Sequence, residues 1–66
     1  MASLNETRIA RQHLLQILAG QAGVKRIALG VAQHHHQVEV VLQPGHAPEA
    51  GWPQDINGVP VVYRSA

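Results

Sequence analysis

Apolar residues recur at two different spacings along this chain, and the spacing changes near Val24. Up to that point they follow the period of about 3.6 residues that is typical of an amphipathic helix. Ser3 and Glu6 have the S-x-x-E spacing of a capping box, in which the two side chains bind the free amides of a helix N-terminus. Gly20 and Gly23 suit a left-handed helix end. These signals predict a helix over about residues 4–20. Its predicted buried face consists of Leu4, Thr7, Ala10, Leu14, Ile17 and Leu18.

From Val24 onward, apolar residues alternate with polar or small ones, as in strands with one buried face. Two such runs flank a polar turn and predict an antiparallel hairpin, and a third follows a long loop rich in proline and glycine. We expect Trp52 to close the small core from that loop. The predicted fold is α+β, with one N-terminal helix packed on a three-stranded sheet in the order α-β-β-β. The third strand is expected either antiparallel to the second or parallel to the first. The helix-facing side of the sheet would carry Ile27, Leu29, Val31, Val38, Val40, Leu42, Val59, Val61 and Tyr63.

The size of the chain favours self-association. With 66 residues and no cysteine, it forms one domain, residues 1–66, with a thin core and no disulfides. Small domains often compensate by associating. The predicted outer face of the sheet is small and half-apolar, and one edge strand is unprotected. We therefore expect a homo-oligomer, or an assembly with another protein, in which sheets join face to face or edge to edge. The expected interface residues are Ala28, Gly30, Ala32, Val41 and Val62.

Three consecutive histidines, His34, His35 and His36, lie in the predicted turn. Imidazoles bind Zn²⁺, Ni²⁺ and Cu²⁺, and neighbouring imidazoles form chelates. Strand parity puts His34 at the end of the first strand and His35 at the start of the second, both on the outer face, with His36 on the helix side. A metal site would need a further ligand, such as His46, Glu39 or a residue of a second copy. The alternative interpretation is that these are polar residues of a solvated turn.

Charge and composition argue against several other functions. Five Lys and Arg residues oppose four Asp and Glu residues, and the net charge of +1 is not typical of nucleic-acid binding. Arg8, Arg11, Lys25 and Arg26 could form a basic patch, which Arg64 could join, but it lacks interleaved aromatic residues for base stacking. A nucleic-acid-associated function is therefore only the second alternative. The carboxylates and serines form no acid–base or nucleophile–base pair, so we expect no enzymatic activity and no cofactor. No apolar run reaches the roughly 20 residues of a membrane span, and the first residues lack an apolar signal segment, so the cytoplasm is the expected location.

The second half of the chain resembles a small bacterial α-β-β-β domain. The resemblance rests on V-E-V-V-L at residues 38–42 and on W-P-Q-D-I-N-G-V-P-V-V-Y-R at residues 52–64, which contains the I-x-G-V-P-V element of that domain's last strand. It covers about residues 20–64. The domain occurs in uncharacterised bacterial proteins, sometimes ahead of a trypsin-like peptidase domain, and the resemblance implies an architecture but no activity. We expect a non-enzymatic interaction or assembly module, with a histidine-rich metal-binding protein as the first alternative.

Overall fold

The computed structural model describes residues 3–65, in which one helix packs on one side of a mixed sheet. The strands lie side by side in the order β1-β2-β4-β3, so β1 forms one edge of the sheet. The prediction of an α+β fold is confirmed, but the sheet has four strands instead of three. The elements are α1 (Leu4–Ile17), β1 (Val24–Ala32), β2 (His35–Leu42), β3 (Asp55–Ile56) and β4 (Val59–Ser65).

The helix begins with the capping box that the sequence predicts. The Ser3 hydroxyl accepts a hydrogen bond from the Glu6 amide at 3.1 Å, and the Ser3 amide donates to the Glu6 carboxylate at 3.0 Å. The same hydrogen bond from the Ser3 backbone lowers the pKa of the Glu6 carboxyl, because it stabilises the ionised form. The predicted C-terminus was too late, since the last helical residue is Ile17 and the chain turns away at Gly20, whose φ is +81°.

The buried face of α1 is narrower than its apolar stripe. Thr7, Ala10, Leu14 and the cap residue Leu18 are at most 3% exposed, and they follow one line along the helix. Leu4 and Ile17, which the sequence predicts to be buried, are 43% and 53% exposed. The helix touches a small sheet along that single line, so the side chains at its margins have nothing beside them to pack against.

The strands β1 and β2 form the predicted antiparallel hairpin. Ala32 pairs with His35, so the two turn residues are Gln33 and His34, with φ of +52° and +67°. Both have the left-handed conformation of a type I′ turn, although neither is glycine. His34 therefore lies within the turn, and its predicted position at the end of the first strand was wrong.

The alternation of β1 is interrupted at its start. Val24 pairs with Leu42 and Arg26 with Val41, so Lys25 is an extra residue in a β-bulge. The bulge brings Val24 to the helix side together with Ile27, although the two are three positions apart in the sequence. Val24 is half-buried against the core, which the strict alternation after residue 26 would not predict.

The third predicted strand, β4, pairs with β2 in parallel, with Val38 opposite Val61 and Leu42 opposite Ser65. Both predicted orientations were therefore wrong. Residues 43–54 form a crossover of about a dozen residues, long enough to return the chain to the start of β2 before β4 begins. The short strand β3 was missed, and it precedes β4 through a turn at Asn57 and Gly58 with φ of +50° and +83°.

Aromatic residues hold the crossover loop on the sheet. The Tyr63 hydroxyl donates to the Pro53 carbonyl at 2.6 Å, and the rings of Trp52 and Tyr63 lie 5.9 Å apart. Both side chains pack half-buried against the core, which confirms the expectation for Trp52. The buried core residues are Ala10, Leu14, Leu18, Ile27, Val38, Val40, Leu42, Ile56, Val59 and Val61.

Candidate functional site at the edge and outer face of the sheet

The five residues predicted as an interface share the face of the sheet that points away from α1. Pairing places Ala28 opposite Glu39, Gly30 opposite Gln37 and Ala32 opposite His35, and Val62 lies on the other side of Glu39. All except exposed Ala32 are half-buried by their neighbours in the sheet, and this includes Val41. Among residues 3–65, no helix or strand packs on this face.

A polar strip crosses this outer face. Gln37, only 7% exposed, donates from Nε2 to Glu39 Oε2 at 3.2 Å, and an Arg64 nitrogen lies 4.0 Å from the same oxygen. The Glu39 side chain lies over Gly30, in the space that a Cβ atom there would occupy. Gly30 thus serves close packing, and the centre of the predicted interface carries a charge. Glu39 and Arg64 are diagonal neighbours because β4 pairs with β2 in this parallel register, which the sequence did not predict.

Among residues 3–65, the outer edge of β1 carries backbone groups without a strand partner. In a hairpin closed by a two-residue turn, the pair next to the turn is hydrogen-bonded and every second residue after it faces the partner strand. Ala32, Gly30 and Ala28 therefore bond to β2, whereas the amides and carbonyls of Leu29 and Val31 point away from the sheet.

The edge is blocked at one end only. The Ile27 carbonyl, which also points outward, accepts a hydrogen bond from Arg11 Nε at 3.1 Å. This contact confirms the assignment of outward groups, and it explains why an arginine stands at the apolar margin of α1. Within residues 3–65, Leu29 and Val31 have no such side-chain cover for their backbone groups.

Exposed apolar side chains border the same edge. Leu29 is 37% exposed and Val31 is 64% exposed, although both lie on the helix side of the sheet, because α1 does not extend over them. Leu4 and Leu15 in α1 are also exposed, at 43% and 42%. Leu4 lies seven residues before Arg11, and Leu15 lies four residues after it. That spacing puts them on the margin of α1 from which Arg11 reaches β1.

The three histidines do not converge. His34 lies in the turn, His35 opposite Ala32 on the outer face, and His36 opposite Val31 on the helix side. His46, considered as a further ligand, packs against Gly23 at the other end of β1. In the described part of the chain, no three His, Cys, Asp or Glu side chains are placed to hold one ion. A site at the turn would therefore need a ligand from a second copy or from another molecule.

An open depression in the described surface follows the solvent-facing side of α1. It is an open groove of about 490 Å³ between side chains of a single helix. Its only base is His13, and it contains no carboxylate that would pair with that imidazole. The lining residues are Asn5, Arg8, Ile9, Gln12, His13 and Gln16.

Comparisons of this chain with protein-family models, with curated proteins and with solved structures found no match. The resemblance to the bacterial α-β-β-β domain therefore stays a prediction. Among the described residues, no helix has the length and apolar character needed to cross a membrane.

Proposed function

We propose that this chain is a small non-enzymatic interaction and assembly module that associates with copies of itself. The observation that supports this best is the outer edge of β1, which combines unpaired backbone groups with the exposed side chains of Leu29 and Val31. Edge strands of this kind readily pair with another strand, and natural proteins usually protect them with charges, prolines or bulges. Here the bulge and the positive charges of Lys25 and Arg26 lie at one end only.

The size of the domain gives self-association an energetic benefit. A chain of 66 residues leaves a large share of its apolar surface in contact with water. Six large apolar side chains are exposed among the described residues. Two of them lie in β1, and the helical spacing puts Leu4 and Leu15 on the margin of α1 from which Arg11 reaches β1. Burying them in an assembly would add apolar contact that the monomer lacks. The six are Leu4, Ile9, Leu15, Ile17, Leu29 and Val31.

Sedimentation equilibrium tests the proposal over a range of about 10 µM to 1 mM, the range in which modest interfaces associate. We expect the average mass to rise with concentration above the 7.1 kDa of one chain. A constant mass of 7.1 kDa across this range would contradict self-association.

The alternative functions receive less support from the geometry. A metal-binding protein would use the His34–His36 segment, whose side chains point in different directions along the hairpin. A nucleic-acid-associated protein would need a continuous basic surface, but Arg11 binds the Ile27 carbonyl and Arg64 lies beside Glu39 on the opposite face. A cytoplasmic location belongs to this proposal, because a chain without cysteine suits a reducing compartment.

A further inference from the structure

We infer that two copies of this chain pair through their β1 edges, antiparallel and centred on Gly30, to form one continuous sheet of twice four strands. This inference rests on the proposed self-association and specifies its interface. The sequence predicts sheets joined face to face or edge to edge through residues of the outer face. This inference selects the edge and uses the backbone groups of Leu29 and Val31 instead.

The backbone groups define the register. The outward groups that remain free are the amides and carbonyls of Leu29 and Val31, since Arg11 occupies the Ile27 carbonyl. An antiparallel pairing with Leu29 opposite Val31 of the second copy, and Val31 opposite its Leu29, satisfies all of these groups in both copies. The hydrogen bond from Arg11 to Ile27 is then left intact.

The side chains favour the same arrangement. Residues directly opposite each other in a sheet point to the same face, so the helices of both copies would lie on one side. Leu29 and Val31 of each copy would meet on the helix side of the joined sheet, where their exposed side chains lose contact with water. Leu4 and Leu15 lie on the margin of α1 that faces this edge and would border the same apolar strip.

The charges favour an antiparallel pairing over a parallel one. Lys25 and Arg26 lie at the start of β1, so antiparallel copies place them at opposite ends of the interface. A parallel pairing in register would bring the same cations side by side, and like charges directly opposite in a sheet are destabilising.

One charge opposes the pairing. In this register Gly30 faces Gly30 of the second copy at a closely spaced position, where the Cα atoms of a sheet lie about 4.5 Å apart. The Glu39 carboxylate lies over Gly30 in each copy, so the two carboxylates would approach each other near the axis. Arg64 and Gln37 beside Glu39 offset part of this repulsion. The interface is also small, and we expect a dissociation constant on the order of 100 µM.

Two matched substitutions test the inference: Val31→Lys at the edge and Val62→Lys on the outer face. Each replaces a valine by a lysine, and Val62, which is half-buried, lies on β4, away from the β1 edge. We expect Val31→Lys to raise the dissociation constant at least about tenfold, since a charge on an edge strand blocks edge pairing. Val62→Lys should associate at least as tightly as the wild type, because its charge lies opposite Glu39 and would reduce the repulsion between the two carboxylates. Circular dichroism verifies the fold of both, and Val31→Pro, which removes an outward amide, repeats the test if Val31→Lys does not fold.

The outcomes separate the two proposals. The edge interface is wrong if the wild type associates and Val31→Lys associates equally well. It is also wrong if Val62→Lys weakens association as much as Val31→Lys does. In both cases the proposed self-association is still supported. If the wild type remains a monomer up to about 1 mM, both the inference and the proposed function are wrong.

Discussion

The turn between β1 and β2 provides a sharp test of the structure, because its two residues are poorly suited to their conformation. Gln33 and His34 have φ of +52° and +67°, and the left-handed region costs an ordinary L-residue about 1–2 kcal/mol. Replacing them together, Gln33→Asn with His34→Gly, creates the Asn-Gly pair that type I′ turns prefer. The relief of the left-handed strain stabilises the folded state. Glycine offsets about 0.5–1 kcal/mol of this stabilisation, because it gives the unfolded chain greater freedom.

We therefore expect the double variant to be more stable than the wild type by about 1 kcal/mol, which in a domain of this size raises the melting temperature by about 4–8 °C. Urea unfolding of dilute protein, followed by circular dichroism, measures the difference. The control shifts the same pair by one position, His34→Asn with His35→Gly, and so places the glycine in β2 opposite Ala32. The control should gain little, because a glycine inside a strand costs about 0.5–1 kcal/mol. A control that stabilises the protein more than the first variant would refute the turn assignment.

Three further results follow from the packing and the site. Val61→Ala should cost about 2 kcal/mol, since Val61 is 7% exposed in the core, whereas Val62→Ala on the outer face should cost less than half as much in the same urea assay. Burial raises the pKa of the Tyr63 hydroxyl above its ordinary value of 10.0, so absorbance titration of this single tyrosine should have a midpoint above 10.0. The stability linked to this group is complete below the unfolded-state pKa and is lost as the pH rises through the folded-state value. Calorimetry should find a dissociation constant for Zn²⁺ or Ni²⁺ of about 100 µM or weaker. A dissociation constant below about 1 µM, lost when the residues His34–His36 are replaced by Gln, would instead support the metal-binding alternative.

Local signals in the sequence were enough to predict the elements that depend on neighbouring residues. Ser3 and Glu6 predict the helix start because a capping box involves only four consecutive positions. The alternation after residue 26 predicts which residues of β1 and β2 share a face, and the register agrees. Asn57-Gly58 is an equally local hairpin signal, and applying it to the residues on both sides would have found β3.

Features that depend on the path of the chain through space could not be predicted from the sequence. The orientation of β4 depends on where a loop of about a dozen residues crosses the sheet, and alternation carries no information about that path. The outer face was correctly assigned, but the polar strip of Glu39 and Arg64 exists only with β4 beside β2. The free edge depends on the same fact, since the predicted alternative, with the third strand parallel to the first, would have covered the outer side of β1.

Amide hydrogen exchange measured by NMR tests edge pairing most directly, because it reports on the backbone groups that the pairing would use. Leu29 and Val31 have outward amides, whereas the Gly30 amide between them bonds to β2 in either state. Between about 20 µM and 1 mM, exchange at Leu29 and Val31 should slow with concentration, while Gly30 should stay protected at both ends of the range. Exchange at Leu29 and Val31 that does not change with concentration, in samples whose mass rises, would contradict pairing through the β1 edge.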